Sequence, residues 1–304
     1  LLALALEHNK VLSPGDTIII SLSEHHANIV PWQMLAKRIG INIRFVWLDE
    51  EYRIDLESLR TMMDETVKVV SLQYASNVTG ARHPLEEVRD IIWERLFFVD
   101  AVQMGVHRGI SFQDLRCDGL VLAWHKMMAD TGIGILALRR ELQIKWQAPI
   151  GGGWAINFVS IEGYEQAGIP ERWEPWTPHI TGAFSLGGRR NIKKHLKPEN
   201  LALYQKIITY TNSRFDALAK KNVVVFHSRE KWELGVWSFT LPRKHPNAVA
   251  DAFAVAGICV RSGHHCCEPL HTHLGVQGTV RVSIGYQTTL SEMEQFFAVL
   301  ESFL

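Results

Sequence analysis

From Ser13 onward the chain alternates short β-rich runs with stretches of helical spacing, and no other feature constrains the fold as much. Residues 17–21, 44–48, 67–72, 96–99 and 120–122 read as strands, and 132–138 reads as a further strand closed by Arg139-Arg140. Pro14-Gly15-Asp16 supplies a turn before the first of them. Leu85, Val88, Ile91 and Ile92 fall on one face of a helix that leads into 96–99. Strands that alternate with helices in this way build a mostly parallel sheet, so the expected class is α/β.

The pattern changes in the second half. Residues 151–190 carry Gly151-Gly152-Gly153, tryptophans at 154, 173 and 176 and several prolines, a composition that argues against regular structure and for a connecting or subunit-contacting region. A helix is expected from about 199 to 220, with Leu203, Ile207, Ile208, Phe215 and Leu218 on its apolar face. Residues 223–226, 236–241, 258–260 and 280–284 then read as strands separated by helices at about 247–256 and 292–303, an α+β arrangement. Ser291 with Glu294 three residues later reads as a capping box for the last helix. The expected division is a large domain over 1–190 and a smaller one over 191–304. No internal repeat stands out.

With 47% apolar residues, 304 positions suffice for a sizeable buried core. The 32 basic and 32 acidic side chains cancel, leaving no net field to recruit nucleic acid or an anionic membrane surface. The apolar opening Leu1-Leu2-Ala3-Leu4-Ala5-Leu6 stops at Glu7, well short of the roughly 20 residues a membrane helix needs, and reads as the end of a core helix whose preceding segment is absent. Four cysteines, Cys117, Cys259, Cys266 and Cys267, form neither paired zinc motifs nor a disulfide framework, which suits a reducing cytoplasm.

Three local features bear on chemistry. Asp100 closes the apolar strand Phe97-Phe98-Val99, where side chains at the carboxyl ends of parallel strands face the usual ligand crevice, although a helix-capping aspartate reads the same way. His125-Lys126 is either a solvated pair or a catalytic lysine. Cys266 lies in Arg261-Ser262-Gly263-His264-His265-Cys266-Cys267, where a glycine turn and cationic neighbours favour a thiolate nucleophile. A buried inert thiol is the alternative there, and so is a metal site drawn from His264, His265, Cys266, Cys267, His271 and His273.

Taken together and in order, five segments resemble the SufS/CsdA-type (group II) cysteine desulfurases of the class V aminotransferase family, fold type I enzymes of pyridoxal 5'-phosphate. They are Glu24-His25-His26-Ala27-Asn28-Ile29-Val30-Pro31-Trp32, Ser76-Asn77-Val78-Thr79-Gly80, Val99-Asp100-Ala101-Val102-Gln103, His125-Lys126 with Thr131 to Leu136, and Arg261 to Cys266. The resemblance implies that Lys126 carries the cofactor and moves protons, that Asp100 pairs with the pyridinium nitrogen and that His25 stacks on the ring. It further implies that Gln103 and Asn77 bond the ring substituents, that His125 and Thr177 reach the phosphate, and that Arg281, with Arg261, takes the substrate carboxylate. Cys266 would attack the sulfur of bound L-cysteine, leaving a persulfide and L-alanine, with the sulfur passed to an acceptor protein by a homodimeric enzyme. A selenocysteine lyase or other class V enzyme shares these motifs.

The pattern departs from the family around the cofactor. Ala123 stands where a serine is expected, Trp124 where a glycine is, Ala101-Val102 inside the Asp100 motif, Met128-Ala129-Asp130 after the lysine, and Trp176-Thr177-Pro178-His179 at the phosphate-reaching segment. The family's glycine- and threonine-containing phosphate turn would lie just before Leu1. These departures define a further reading, a truncated or impaired homologue that keeps the fold and a partner-binding surface.

Overall fold

The computed structural model describes residues 1–187, 197–227 and 234–304. The first half is a six-stranded sheet built from β1 (Thr17–Ser21), β2 (Asn42–Val46), β3 (Val67–Gln73), β4 (Leu96–Asp100), β5 (Gly119–Ala123) and β6 (Gly134–Leu138), in the order β2-β1-β3-β4-β5-β6. Strands β1 to β5 run parallel and β6 closes the edge antiparallel to β5. Every residue of β1 is buried, as a parallel strand covered on both faces requires.

The order matters for function. From β1 the chain steps outward to β2, returns to β3 on the other side of β1, and then proceeds through β4 and β5. This reversal opens a crevice at the carboxyl ends of β1 and β3, the usual ligand position in such sheets. The segments that follow β1, β3, β4 and β5 carry His25, Asn77, Gln103 and Lys126, with Asp100 the last residue of β4.

After the first sheet a short hairpin, β7 (Ile156–Val159) with β8 (Tyr164–Gln166), precedes a helix over Ile180–Gly187. The expectation of irregular structure over 151–190 is therefore corrected. The hairpin has no alternating apolar face to betray it: Phe158, Val159 and Tyr164 are all exposed, and the strands are closed by the Ser160 N–H bond to the Gly163 carbonyl, 2.8 Å.

The second sheet is antiparallel, in the order β11-β12-β10-β9, from β9 (Val224–Phe226), β10 (Val236–Thr240), β11 (Arg261–Gly263) and β12 (Thr279–Ser283). Helices Pro198–Ala219, Pro246–Val255 and Leu290–Glu301 accompany it. Phe215, Trp237, Phe239, Phe253, Phe296 and Phe297 are fully buried in its core. Aromatic side chains of this size bury the largest areas and dominate the energetics of such a core. The helix Pro198–Ala219 buries Tyr204, Ile207, Ile208, Thr211, Phe215 and Leu218, whereas Leu203 is exposed, contrary to expectation.

Several boundaries move. The second strand is Asn42–Val46 rather than 44–48. The strand expected at 258–260 lies at Arg261–Gly263: Gly257 turns the chain at φ 73°, and Ile258 and Val260 pack against the core from a connection instead of a ladder. The capping box is Thr289 with Glu292, two residues before the expected pair, because Thr289 Oγ1 accepts the Glu292 N–H while the Glu292 carboxylate accepts the Thr289 N–H. The boundary expected at 190/191 lies outside the described residues. Among the described residues, no helix is long and apolar enough to cross a membrane.

Candidate active site

After β1 the chain buries a carboxyl group. Glu24 is wholly inaccessible, and its carboxylate accepts from Ser21 Oγ at 2.5 Å, Asn28 Nδ2 at 2.7 Å and the Gln73 N–H at 2.9 and 3.0 Å. Desolvation outweighs these bonds and pushes its pKa up to about 7. The bonds tie β1 to β3 and fix the start of the next segment, where His25 caps a short 3-10 turn by accepting the Ala27 N–H on Nδ1 at 3.1 Å. Burial, then the charge of Lys126, pushes His25 down to about 4, so the ring is neutral at pH 7 with its proton on Nε2. A neutral ring suits stacking on a pyridine face.

At the end of β4, Asp100 Oδ1 accepts the Val102 N–H at 3.0 Å, and burial raises the carboxyl above its ordinary range against the opposing pull of Lys126. Lys126 follows β5 on a 3-10 turn over Trp124–Met127, and its Nζ donates to Gln103 Oε1 at 3.3 Å. Burial lowers the ammonium, Asp100 opposes that, and Arg281 and Arg261 reinforce it. A lysine so placed more readily gives up the proton that would block nucleophilic chemistry.

Asn77, after β3, joins the halves. Its Nδ2 donates to the His265 carbonyl at 2.8 Å, and its own carbonyl accepts from Arg281 at 2.8 Å. Arg261 and Arg281 face each other across β11 and β12, and burial pushes Arg281 down to about 10. Arg261 donates to Cys266 Sγ at 3.4 Å. His265 and Cys266 both adopt left-handed backbone, φ 54° and 60°, and the Cys266 carbonyl accepts the His26 N–H at 2.9 Å. Non-glycine residues in that region mark strain imposed by their surroundings, a frequent property of active sites.

The structure thus brings together Lys126, Asp100, Gln103, His25, Asn77, Arg261, Arg281 and Cys266. His125 and Thr177 are both exposed, the latter in the segment before the helix at Ile180, and no described hydrogen bond ties either to this group. Among the described residues, no three His, Cys, Asp or Glu side chains are placed to hold a metal ion. His265 and His271 both bond Thr279 instead. Glu24 and His26 had no role assigned from sequence; only their place in the Glu24 to Trp32 segment marked them.

The residues fit the ring end of pyridoxal phosphate. A lysine, an acceptor for a ring N–H and a neutral aromatic face are present, and two buried atoms beside them, Asn77 Oδ1 and Arg281 Nε, have no protein partner. A cavity of about 800 Å³ opens beside Asp100, but its lining is mainly apolar, with Leu2, Trp32, Leu136 and Trp173 among it, and Lys126, His25, Asn77, Arg281 and Cys266 do not line it. Around the expected phosphate, Ala123 offers no hydroxyl and the Trp124 indole fills the place of a glycine, buried with its N–H unpartnered.

With a doubly wound sheet, a lysine at the end of its fifth strand and an arginine-flanked cysteine in place, the family follows: residues 1–296 match the class-V aminotransferases, and the chain belongs to that family. Within it, the chain is similar to a probable cysteine desulfurase of Pyrococcus abyssi, 35% identical over 99% of this chain and 75% of the relative. The apo structure of a cysteine desulfurase from Thermococcus onnurineus superposes with a TM-score of 0.92 at 35% identity, covering 99% of this chain and 75% of that one. The cysteine desulfurase CsdA of Escherichia coli, in its S-sulfonic acid form, gives a TM-score of 0.91 at 27% identity over the same shares.

Proposed function

We propose that this chain is a pyridoxal-phosphate-dependent cysteine desulfurase that takes L-cysteine, moves its sulfur to Cys266 and releases L-alanine. The observation that carries the reading is that Lys126 and Cys266, far apart in sequence, meet at one arginine pair: Arg261, which donates to Cys266 Sγ at 3.4 Å, pairs across the ladder with Arg281, and the charge of both bears on Lys126. Bound pyridoxal phosphate supplies the electron sink for bond changes at the substrate α-carbon. Lys126 anchors the cofactor and carries protons to and from that carbon. Asp100 holds the proton on the ring nitrogen, His25 covers the ring face, and Gln103 and Asn77 bond its substituents. Arg281, with its unpartnered Nε, takes the substrate carboxylate, with Arg261 beside it. The Cys266 thiolate forms an S–S bond to the substrate sulfur as the carbon–sulfur bond breaks; the pair left on carbon takes a proton and alanine departs.

The same reading divides the chain into a cofactor domain over 1–190 and a smaller domain over 191–304 that carries the nucleophile. It makes the enzyme a cytoplasmic homodimer serving a sulfur-acceptor protein. Support for the dimer comes from the apolar side chains exposed between Trp154 and Phe184, including Phe158, Ile161, Trp176 and Ile180. Four free thiols support the reducing compartment. His125 and the partner's copy of Thr177 are the phosphate ligands in this reading.

A second reading, a homologue that holds its cofactor weakly, is favoured by Ala123, buried Trp124 and exposed His125. One experiment separates them. With added cofactor the protein develops an absorbance band at the edge of the visible that Lys126→Ala lacks, and cysteine yields alanine, whereas Cys266→Ala forms no persulfide. A protein that stays colourless and releases no alanine overturns the desulfurase reading, and a preference for selenocysteine over cysteine redirects it to a lyase.

A further inference from the structure

His265, next to the nucleophile, ends a hydrogen-bond chain whose direction is fixed at its far end. His271 Nδ1 lies 2.9 Å from the Cys267 carbonyl, which can only accept, so the His271 proton is on Nδ1. Burial keeps His271 below the ordinary histidine range, so its ring is neutral and Nε2, 3.1 Å from Thr279 Oγ1, must accept. The single Thr279 hydroxyl proton is spent there. Thr279 Oγ1 can then only accept from His265 Nε2, 2.9 Å away. Burial, followed by the charge of Arg281, pushes His265 down to about 3, so its one proton is on Nε2 and Nδ1 is a bare lone pair. That Nδ1 is buried with no partner, an orientation a free ring would not choose.

The main chain around this ring is strained and held from outside. Asn77 and His26 grip the His265 and Cys266 carbonyls from the first sheet. Thr279, wholly buried on β12, grips the His265 side chain from the second. The residue that connects these grips is His265.

We propose that the chain Cys267–His271–Thr279–His265 locks the left-handed turn at Cys266, with His265 a positioning residue fixed as its Nε2-protonated tautomer. The functional part of this inference rests on the desulfurase reading. Without the Thr279 hydroxyl both imidazole Nε2 atoms lose their partner, the turn relaxes, and Cys266 Sγ leaves the position from which it meets substrate sulfur.

The test needs two readouts. Two-bond proton–nitrogen correlation spectra of ¹⁵N-histidine-labelled protein, with His265→Gln assigning the signal, should show His265 protonated on Nε2. Thr279→Val, which keeps the volume and removes the hydroxyl, should slow persulfide formation on Cys266 by about 10- to 100-fold, the scale on which small misplacements act. The KM for cysteine should stay unchanged, and Thr279→Ser should restore the rate. An Nδ1-protonated His265 in the wild type, or wild-type persulfide formation in Thr279→Val, overturns the proposal. If the wild type moves no sulfur at all, the desulfurase reading fails instead. Iodoacetamide alkylation of Cys266 in a Cys259→Ser background then decides: slower in Thr279→Val supports the lock, and an equal rate overturns it.

Discussion

Glu24 is a carboxyl group buried with four short acceptor contacts and, among its described hydrogen bonds, no cationic donor. Its folded pKa of about 7 lies above the ordinary 4.5, so between those values the folded state holds more proton than the unfolded chain. Stability from this group is therefore fully present below pH 4.5 and declines as pH rises toward 7, by about 3 kcal/mol in all. The half-buried His25 acts in the opposite sense: pushed down to about 4 by burial, it contributes stability above pH 6.5 that is lost as pH falls. The Glu24 effect is isolated by comparing urea unfolding of wild type and Glu24→Gln from pH 4.5 to 7. The difference between the two should shrink in the wild type's disfavour as pH rises; parallel curves would count against a perturbed Glu24. None of this was legible in sequence, because glutamate before His25 looks like any surface glutamate until β1 and β3 close over it.

Among elements, the helix Leu290–Glu301 offers a clean case. Thr289→Ala removes the side chain that accepts the Glu292 N–H and should cost about 1 kcal/mol in chemical denaturation, while Ser291→Ala should stay within about 0.5 kcal/mol. The reverse ranking would restore the Ser291 box read from sequence, where both pairs satisfy the same spacing. Strands show the same division between what is local and what is imposed. β3 was readable because Val67, Val69, Val70 and Leu72 are β-formers buried on both faces. β11, Arg261-Ser262-Gly263, has no strand signature and is a strand only because β12 pairs with it. Lys126, Asp100, His25 and Cys266 were found as members of family motifs; the contacts that join them, such as Asn77 to His265, span 188 residues of sequence and leave no mark on local sequence.

At the scale of the whole molecule, the segment after β3 is where the two sheets meet. Ser238 Oγ donates to the Val78 carbonyl at 2.7 Å, the Leu234 N–H donates to the Gly80 carbonyl at 3.3 Å, and Arg281 donates to the Asn77 carbonyl at 2.8 Å. Gly80 has φ +70°, and a Cβ there would meet the Leu234 and Val236 carbonyl oxygens at 3.0 Å. Gly80→Ala therefore carries about 1–2 kcal/mol of backbone strain plus a steric conflict with main chain that has no flexible end to yield. Urea unfolding should show at least that loss, with turnover falling alongside it as Asn77 shifts; a variant as stable and active as wild type would mean that the junction is looser than its contacts imply.

The reversal of strand order between β1 and β3 also divides the molecule into a working rim and an idle one. The site residues follow the carboxyl ends of β1, β3, β4 and β5, so the turns entering these strands, at Pro14-Gly15, Asp64 to Thr66 and Trp93 to Arg95, stand on the far rim from Lys126. Those turns carry no site residue but are tied locally, Asp64 accepting the Thr66 N–H and Arg95 donating to the Val67 carbonyl, so a change there should cost stability rather than chemistry, whereas a residue inserted on the opposite rim would move a catalytic group. For evolution and for the engineer alike, the sheet has a side that remembers its chemistry and a side that holds it up.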